Sequence, residues 1–128
     1  MMPQRLPPDD PRESLNRARS NLVQARDDKP GVYWEDLCFQ AQQAVEKSLK
    51  ALLLDRGVAF PYVHNLAELL RLLEEKGEEI PPEIRVAARL TDYAVEARYP
   101  GLAEPVTEDE YETAVALAER SSARGRDH

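Results

Sequence analysis

Apolar residues recur three and four positions apart along most of this chain, and no segment alternates apolar with polar residues for long enough to make a strand. That spacing puts side chains on one face of a helix. Asp10-Pro11-Arg12-Glu13 reads as a helix start: Asp10 caps, Pro11 suits the first helical position, and Glu13 completes an acidic capping box. The helix that follows runs to about Arg26 with a thin stripe of Leu15, Ala18, Leu22 and Ala25. Lys29-Pro30-Gly31 breaks the pattern. The strongest stripe comes next, from about Tyr33 to Arg56: Trp34, Leu37, Cys38, Ala41, Ala44, Val45, Ser48, Leu49, Leu52 and Leu53. Its opposite face carries Glu35, Asp36, Gln40, Gln43, Glu46, Lys47 and Lys50, and Gly57 is the expected stop. Phe39 and Ala51 lie off the stripe, which suits a central helix with neighbours on more than one side.

Asn65, with Glu68 three positions later, caps a short leucine-rich helix built on Leu66, Leu69, Leu70, Leu72 and Leu73 and closed by Gly77. Pro81-Pro82 opens another helix, with the stripe Val86, Ala87, Leu90, Tyr93, Ala94 and Ala97, ending before Pro100. Thr107 and Glu110 form a capping box for the last helix, which buries Tyr111, Ala114, Val115 and Ala118. The pattern predicts an all-α fold, an up-and-down helical bundle of four main helices plus one short helix. Residues 1–9, with three prolines and little to bury, are expected to form a flexible arm. Residues 10–120 form the bundle, and 121–128 a frayed polar tail.

Composition narrows the function classes. The 128 residues suffice for one domain with a modest core. The net charge of −7 argues against wrapping duplex DNA, which needs excess positive charge, although a local basic patch can still hold a single phosphate. Cys38 is the one cysteine, so there is no intramolecular disulfide and no Cys-based zinc site. No apolar run approaches the roughly 20 residues that cross a bilayer. The N-terminus has no apolar segment of a secretory signal. The expected location is the cytoplasm, without membrane association.

Several chemistries are missing from the sequence. The glycines are scattered at helix ends and make no phosphate loop. There is no Glu-x-x-His pair or His-x3-His, and two histidines, one of them the last residue, do not support a Ser/His/Asp triad. Acids at Glu108, Asp109, Glu110 and Glu112 are better explained by the dipole of a helix N-terminus than by a metal. No metal and no cofactor are expected. Three features remain. Lys47 and Lys50 lie three apart on the long helix near Arg56, although Glu46 and Lys50 also make an ordinary i,i+4 pair. His64 precedes the leucine-rich helix and could serve as an acid/base or, when protonated, a phosphate ligand. Arg98-Tyr99-Pro100 offers a phosphate-binding fork beside a stacking ring. Taken singly, each has an ordinary structural explanation.

In this order the three features resemble the HEPN domain family (higher eukaryote and prokaryote nucleotide-binding). Gln42-Gln43-Ala44-x-Glu46-Lys47-x-Leu49-Lys50-Ala51 is similar to that family's signature on its long second helix. His64-x-Leu66 and Ala97-Arg98-Tyr99-Pro100 are similar to its next two elements, and the resemblance spans about residues 10–120. It implies a helical bundle that usually dimerises and is often paired with a minimal nucleotidyltransferase, frequently in toxin–antitoxin systems. It also implies nucleotide or nucleic-acid binding for many members and ribonuclease activity for a subset. That subset carries an Arg followed, after four to six residues, by His. Here Arg98 is followed by Tyr99-Pro100-Gly101-Leu102-Ala103-Glu104, and no other arginine has a histidine at that spacing. Tyr99, directly after Arg98, also lacks the spacing of the family's tyrosine-based toxin variant.

Three functional readings stand. The first is a non-catalytic module that binds a nucleotide or substrate beside a separate minimal nucleotidyltransferase. In it Lys47 and Lys50 meet phosphates, Arg98 makes the directional contact, Tyr99 stacks and His64 lines the pocket. The second is a ribonuclease toxin with a non-standard active site. The third is a purely structural dimeric partner, anchored by Trp34 and Phe39. A homodimer is compatible with all three.

Overall fold

The computed structural model describes residues 5–8, 10–27, 29–58, 65–82, 85, 88 and 107–126, the last five by their backbone alone. The chain is an all-α helical bundle. Four helices are described from end to end along the backbone: α1 (Pro11–Ala25), α2 (Trp34–Asp55), α3 (Leu66–Glu75) and α4 (Glu108–Arg126). Pro82, Arg85 and Ala88 are helical as well, and Ala88 is fully buried. The remainder of the helix expected after Pro81-Pro82 lies outside the described residues.

Local chemistry explains most helix ends. Asp10 caps α1 by accepting the Arg12 backbone N–H, and Pro11 takes the first turn, where no N–H is needed. The Asn65 side chain accepts the Glu68 N–H at 3.1 Å. Thr107 and Glu110 exchange both bonds of a capping box, at 3.0 and 3.2 Å. Both α2 and α3 end the same way. The Gly57 and Val58 N–H groups reach back to the carbonyls of Leu54 and Leu53, and those of Gly77 and Glu78 to Glu74 and Leu73. This is the six-to-one and five-to-two bond pattern that needs a left-handed residue, and Gly57 (φ +71°) and Gly77 (φ +91°) supply it. Glu78, carried on the second of these turns, pairs with Arg56 at the end of α2.

Packing centres on α2, which meets α1, α3 and α4, while α1 also meets α4. Leu37, Cys38, Ala41, Ala44, Val45, Leu49, Leu52 and Leu53 of α2 join Leu66, Leu69, Leu70 and Leu73 of α3 in one buried cluster. Ala114, Leu117 and Ala118 of α4 belong to the same cluster. The off-stripe Ala51 is also buried, as a helix with several neighbours requires. The Tyr111 hydroxyl donates to the Ala25 carbonyl at 2.7 Å, so α4 satisfies a polar group at the end of α1. Arg26 and Glu119 pair beside it at 3.0 Å.

Three expectations change. Glu13 does not close a box onto the Asp10 N–H, which donates instead to the Pro7 carbonyl. Its carboxylate accepts the Leu6 N–H at 2.9 Å and the Arg17 Nε at 2.8 Å. The chain before Pro11 turns back along the helix and brings Leu6 within reach. Glu46, expected on the water-facing side of α2, is only 6% exposed, and Gln42 only 7%. A helix contacted by three others leaves few positions to solvent. Finally, α4 continues past the expected stop near residue 120 to Arg126, with Ser121 buried.

Candidate functional site

Lys47 and Lys50 are the predicted site residues that fall within the described structure; His64, Arg98 and Tyr99 lie outside the described residues. Both lysines sit on α2, but they have different surroundings. The Lys50 ammonium pairs with the Glu46 carboxylate at 3.1 Å, and both side chains are mostly buried. This is the i,i+4 pair that the sequence predicts, in a drier setting than a surface helix provides. Lys47, half-buried, points across to α1, where its Nζ donates to Asn21 Oδ1 at 2.6 Å.

Asn21 is the hub of the α1–α2 seam. Its carbonyl accepts from Lys47, and its amide donates to Gln40 Oε1 at 2.7 Å. An ammonium can only donate, so the orientation of the Asn21 amide follows from Lys47. The seam arises from two registers. Glu13, Arg17 and Asn21 recur every four residues along one edge of α1. Gln40 and Lys47, seven positions apart on α2, are the residues that meet this edge. Arg17, whose side chain is 57% exposed, binds Glu13 Oε2 through its Nε.

The electrostatics follow from these positions. Burial is the first cause that lowers the Lys47 pKa below the usual lysine value; the positive charge of Arg17 adds to it, Glu46 opposes it, and Lys50 lowers it further. The Leu6 N–H is the main influence holding the Glu13 carboxyl below the usual range, against desolvation and with help from Arg17. Cys38 is fully buried, and desolvation pushes its thiol up to about 12, with Glu110 and Glu35 contributing. It is therefore a packing residue and not a nucleophile.

Among the described residues, two clefts lie elsewhere. One, of about 260 Å³, is lined by Asp10, Pro11, Arg12, Leu15, Ala51, Leu52 and Asp55. The other runs along Glu74, Glu78, Glu79 and Ile80 to Pro81 and Pro82. The first lining is mostly apolar, with Asp10 and Asp55 beside Arg12, the second carries Glu74, Glu78 and Glu79, and neither includes Lys47 or Lys50. Sequence reasoning missed Asn21 and Arg17. The available signal was the four-residue spacing of polar positions on α1, which marks an edge but does not identify what faces it.

Comparison with known proteins agrees with this architecture. The HEPN domain profile matches residues 11–123. Among solved structures, TT1696 from Thermus thermophilus is 33% identical, with a TM-score of 0.79. The match covers 91% of this chain and 96% of that one. ST0689, described as an archaeal HEPN homologue, is 26% identical with a TM-score of 0.73, covering 92% of this chain and 96% of its own. A search of curated proteins finds no match. The order of the Gln42–Ala51, His64-x-Leu66 and Ala97–Pro100 features, the helical bundle and the profile match all lead to one assignment: this chain belongs to the HEPN domain family.

Proposed function

We propose that this protein is a non-catalytic HEPN-type binding module. It takes a nucleotide or nucleotide-bearing substrate and works beside a separate minimal nucleotidyltransferase, within a toxin–antitoxin pair. The carrying observation is the combination of family membership with the residues after Arg98. No histidine follows at the spacing of the family's ribonuclease motif, so cleavage by attack of a ribose 2′-hydroxyl lacks its base. The ribonuclease-toxin reading is the weaker for it.

In this reading Lys47 supplies positive charge to a phosphate, and Lys50, already paired with Glu46, supports it from one turn further along α2. Arg98 makes the directional phosphate contact, Tyr99 stacks on the base, and His64 lines the pocket. The net charge of −7 suits a small anion held at a local basic site over a long nucleic acid. The working unit is a homodimer.

Calorimetric titration with ATP, GTP and their monophosphates tests the proposal, with Arg98→Ala run in parallel. Saturable binding that disappears in a variant with unchanged melting temperature is the expected result. Absence of heat with every nucleotide, together with cleavage of total RNA at micromolar protein, would replace this reading with the ribonuclease one. Absence of both would leave a structural dimeric partner.

A further inference from the structure

We propose that the α1–α2 seam holds a phosphate group between the Arg17 guanidinium and the Lys47 ammonium, with the Gln40 side-chain amide as a third donor. The inference deepens the binding reading above through Lys47, and it adds a helix, α1, that the sequence features did not implicate.

The reasoning begins with Lys47. A partly buried ammonium normally sits against a carboxylate, because burial without a counter-charge is costly. Lys47 has a neutral partner instead, the Asn21 carbonyl, which engages one of its three N–H groups. The nearby carboxylate, Glu46, pairs with Lys50. Arg17 sits one turn before Asn21, the α1 residue that Lys47 reaches, and its positive charge bears on Lys47. It binds Glu13 through Nε, and its side chain is 57% exposed. Gln40 accepts from Asn21 with its carbonyl, which leaves its amide N–H groups to donate elsewhere. The group therefore comprises three cations, Arg17, Lys47 and Lys50, and two carboxylates, Glu13 and Glu46, for a local excess of one positive charge in an acidic chain.

These features fit a phosphate. The Arg17 fork matches its geometry bidentately, and the lysine adds a compact point charge. Asn21 bonds to both Lys47 and Gln40, which sets the two α2 donors on one edge of the seam before any ligand arrives. A dianion there would give the Lys47 ammonium a directly bonded anion in addition to the charge of Glu46.

The test is titration with inorganic pyrophosphate and, separately, ADP. The variants are Arg17→Gln, Lys47→Met and Arg71→Gln, the last an exposed cation on α3 that pairs with Glu68 and Glu75. Saturable pyrophosphate binding that weakens roughly ten- to hundred-fold in Arg17→Gln and in Lys47→Met, and holds in Arg71→Gln, supports the site. Both test residues are at least partly exposed, and melting curves confirm that each variant folds. No pyrophosphate binding by the wild-type chain, or equal weakening in all three variants, overturns the inference. ADP separates it from the nucleotide reading. Binding of ADP that fails in Arg98→Ala but survives in Arg17→Gln overturns the seam and keeps the module. Pyrophosphate binding at the seam with no ADP binding keeps the seam and removes the nucleotide.

Discussion

The two faces of α2 do opposite things with the same helical spacing. On one, Cys38, Ala41, Val45, Leu49 and Leu52 are between 0% and 3% exposed and merge with α3 and α4 in a single apolar cluster. On the other, Gln40 and Lys47 reach α1, Gln43 and Lys50 bond within α2, and all four rely on individual polar partners. The first face gains from area removed from water and tolerates any well-packed apolar neighbour. The second gains only where each polar atom finds a specific partner, and it is therefore the face on which a ligand can compete. Lys47 and Lys50 sharpen the contrast further. They lie three residues apart, yet one has a carboxylate and the other a neutral amide.

The largest expected effect is on the apolar face. Leu52→Ala removes a side chain that is 1% exposed and should cost about 2–5 kcal/mol in urea unfolding, as burial loss plus a cavity. A cost under about 1 kcal/mol would show that this face is loosely packed and would collapse the comparison. Lys50→Met comes next. It takes the ammonium away from the buried Glu46 carboxylate and should destabilise by about 1–3 kcal/mol.

Lys47→Met should behave differently, retaining or raising the unfolding midpoint at pH 7. The fold lowers the Lys47 pKa, so the charged form is the one that folding disfavours. In the wild-type chain that penalty is present at neutral pH and fades as pH rises through the lowered value toward 10.5, above which both states are neutral. The advantage of Lys47→Met should shrink over the same alkaline window, as parallel melts at pH 7 and pH 10 would show. If Lys47→Met is as damaging as Lys50→Met, the two lysines are equivalent and the contrast fails.

For Cys38 the pH dependence has the opposite sign. Its thiol is raised to about 12, while the unfolded chain ionises near 9.0. Its stabilising contribution is therefore complete below pH 9.0 and lost as pH climbs toward about 12. The difference in stability between wild type and Cys38→Ala should narrow across that interval. Reaction with a thiol reagent at neutral pH should be slow until denaturant opens the fold, and fast labelling of the native chain would show that this face breathes.

Much of the fold was legible because the relevant interactions are short-range. Asn65 finds the Glu68 N–H three residues away, Thr107 and Glu110 find each other, and Gly57 and Gly77 end helices through bonds to the preceding turn. The buried stripe of α2 follows from its 3.6-residue period, since Leu37, Leu49, Leu52 and Leu53 can share one side. The candidate site was less legible. Lys47 and Lys50 could be marked as cations on one helix, but nothing in their spacing distinguishes a lysine paired within its own turn from one that reaches another helix.

The sequence by itself determined where α1 to α4 lie, the Asp10, Asn65 and Thr107 caps and the family signature, because each depends on residues within about one turn or on a period repeated along a single helix. Tertiary structure alone decided that Glu13 serves Leu6, that Gln42 and Glu46 are buried, that Asn21 joins Gln40 to Lys47, and that Tyr111 closes onto Ala25. All of these depend on which elements lie side by side. Asn21 and Lys47 are 26 residues apart and Ala25 and Tyr111 are 86 apart, distances at which neither propensity nor periodicity carries information. A helix period tells which residues share a face; only the number and placement of its neighbours tells how wide that buried face is.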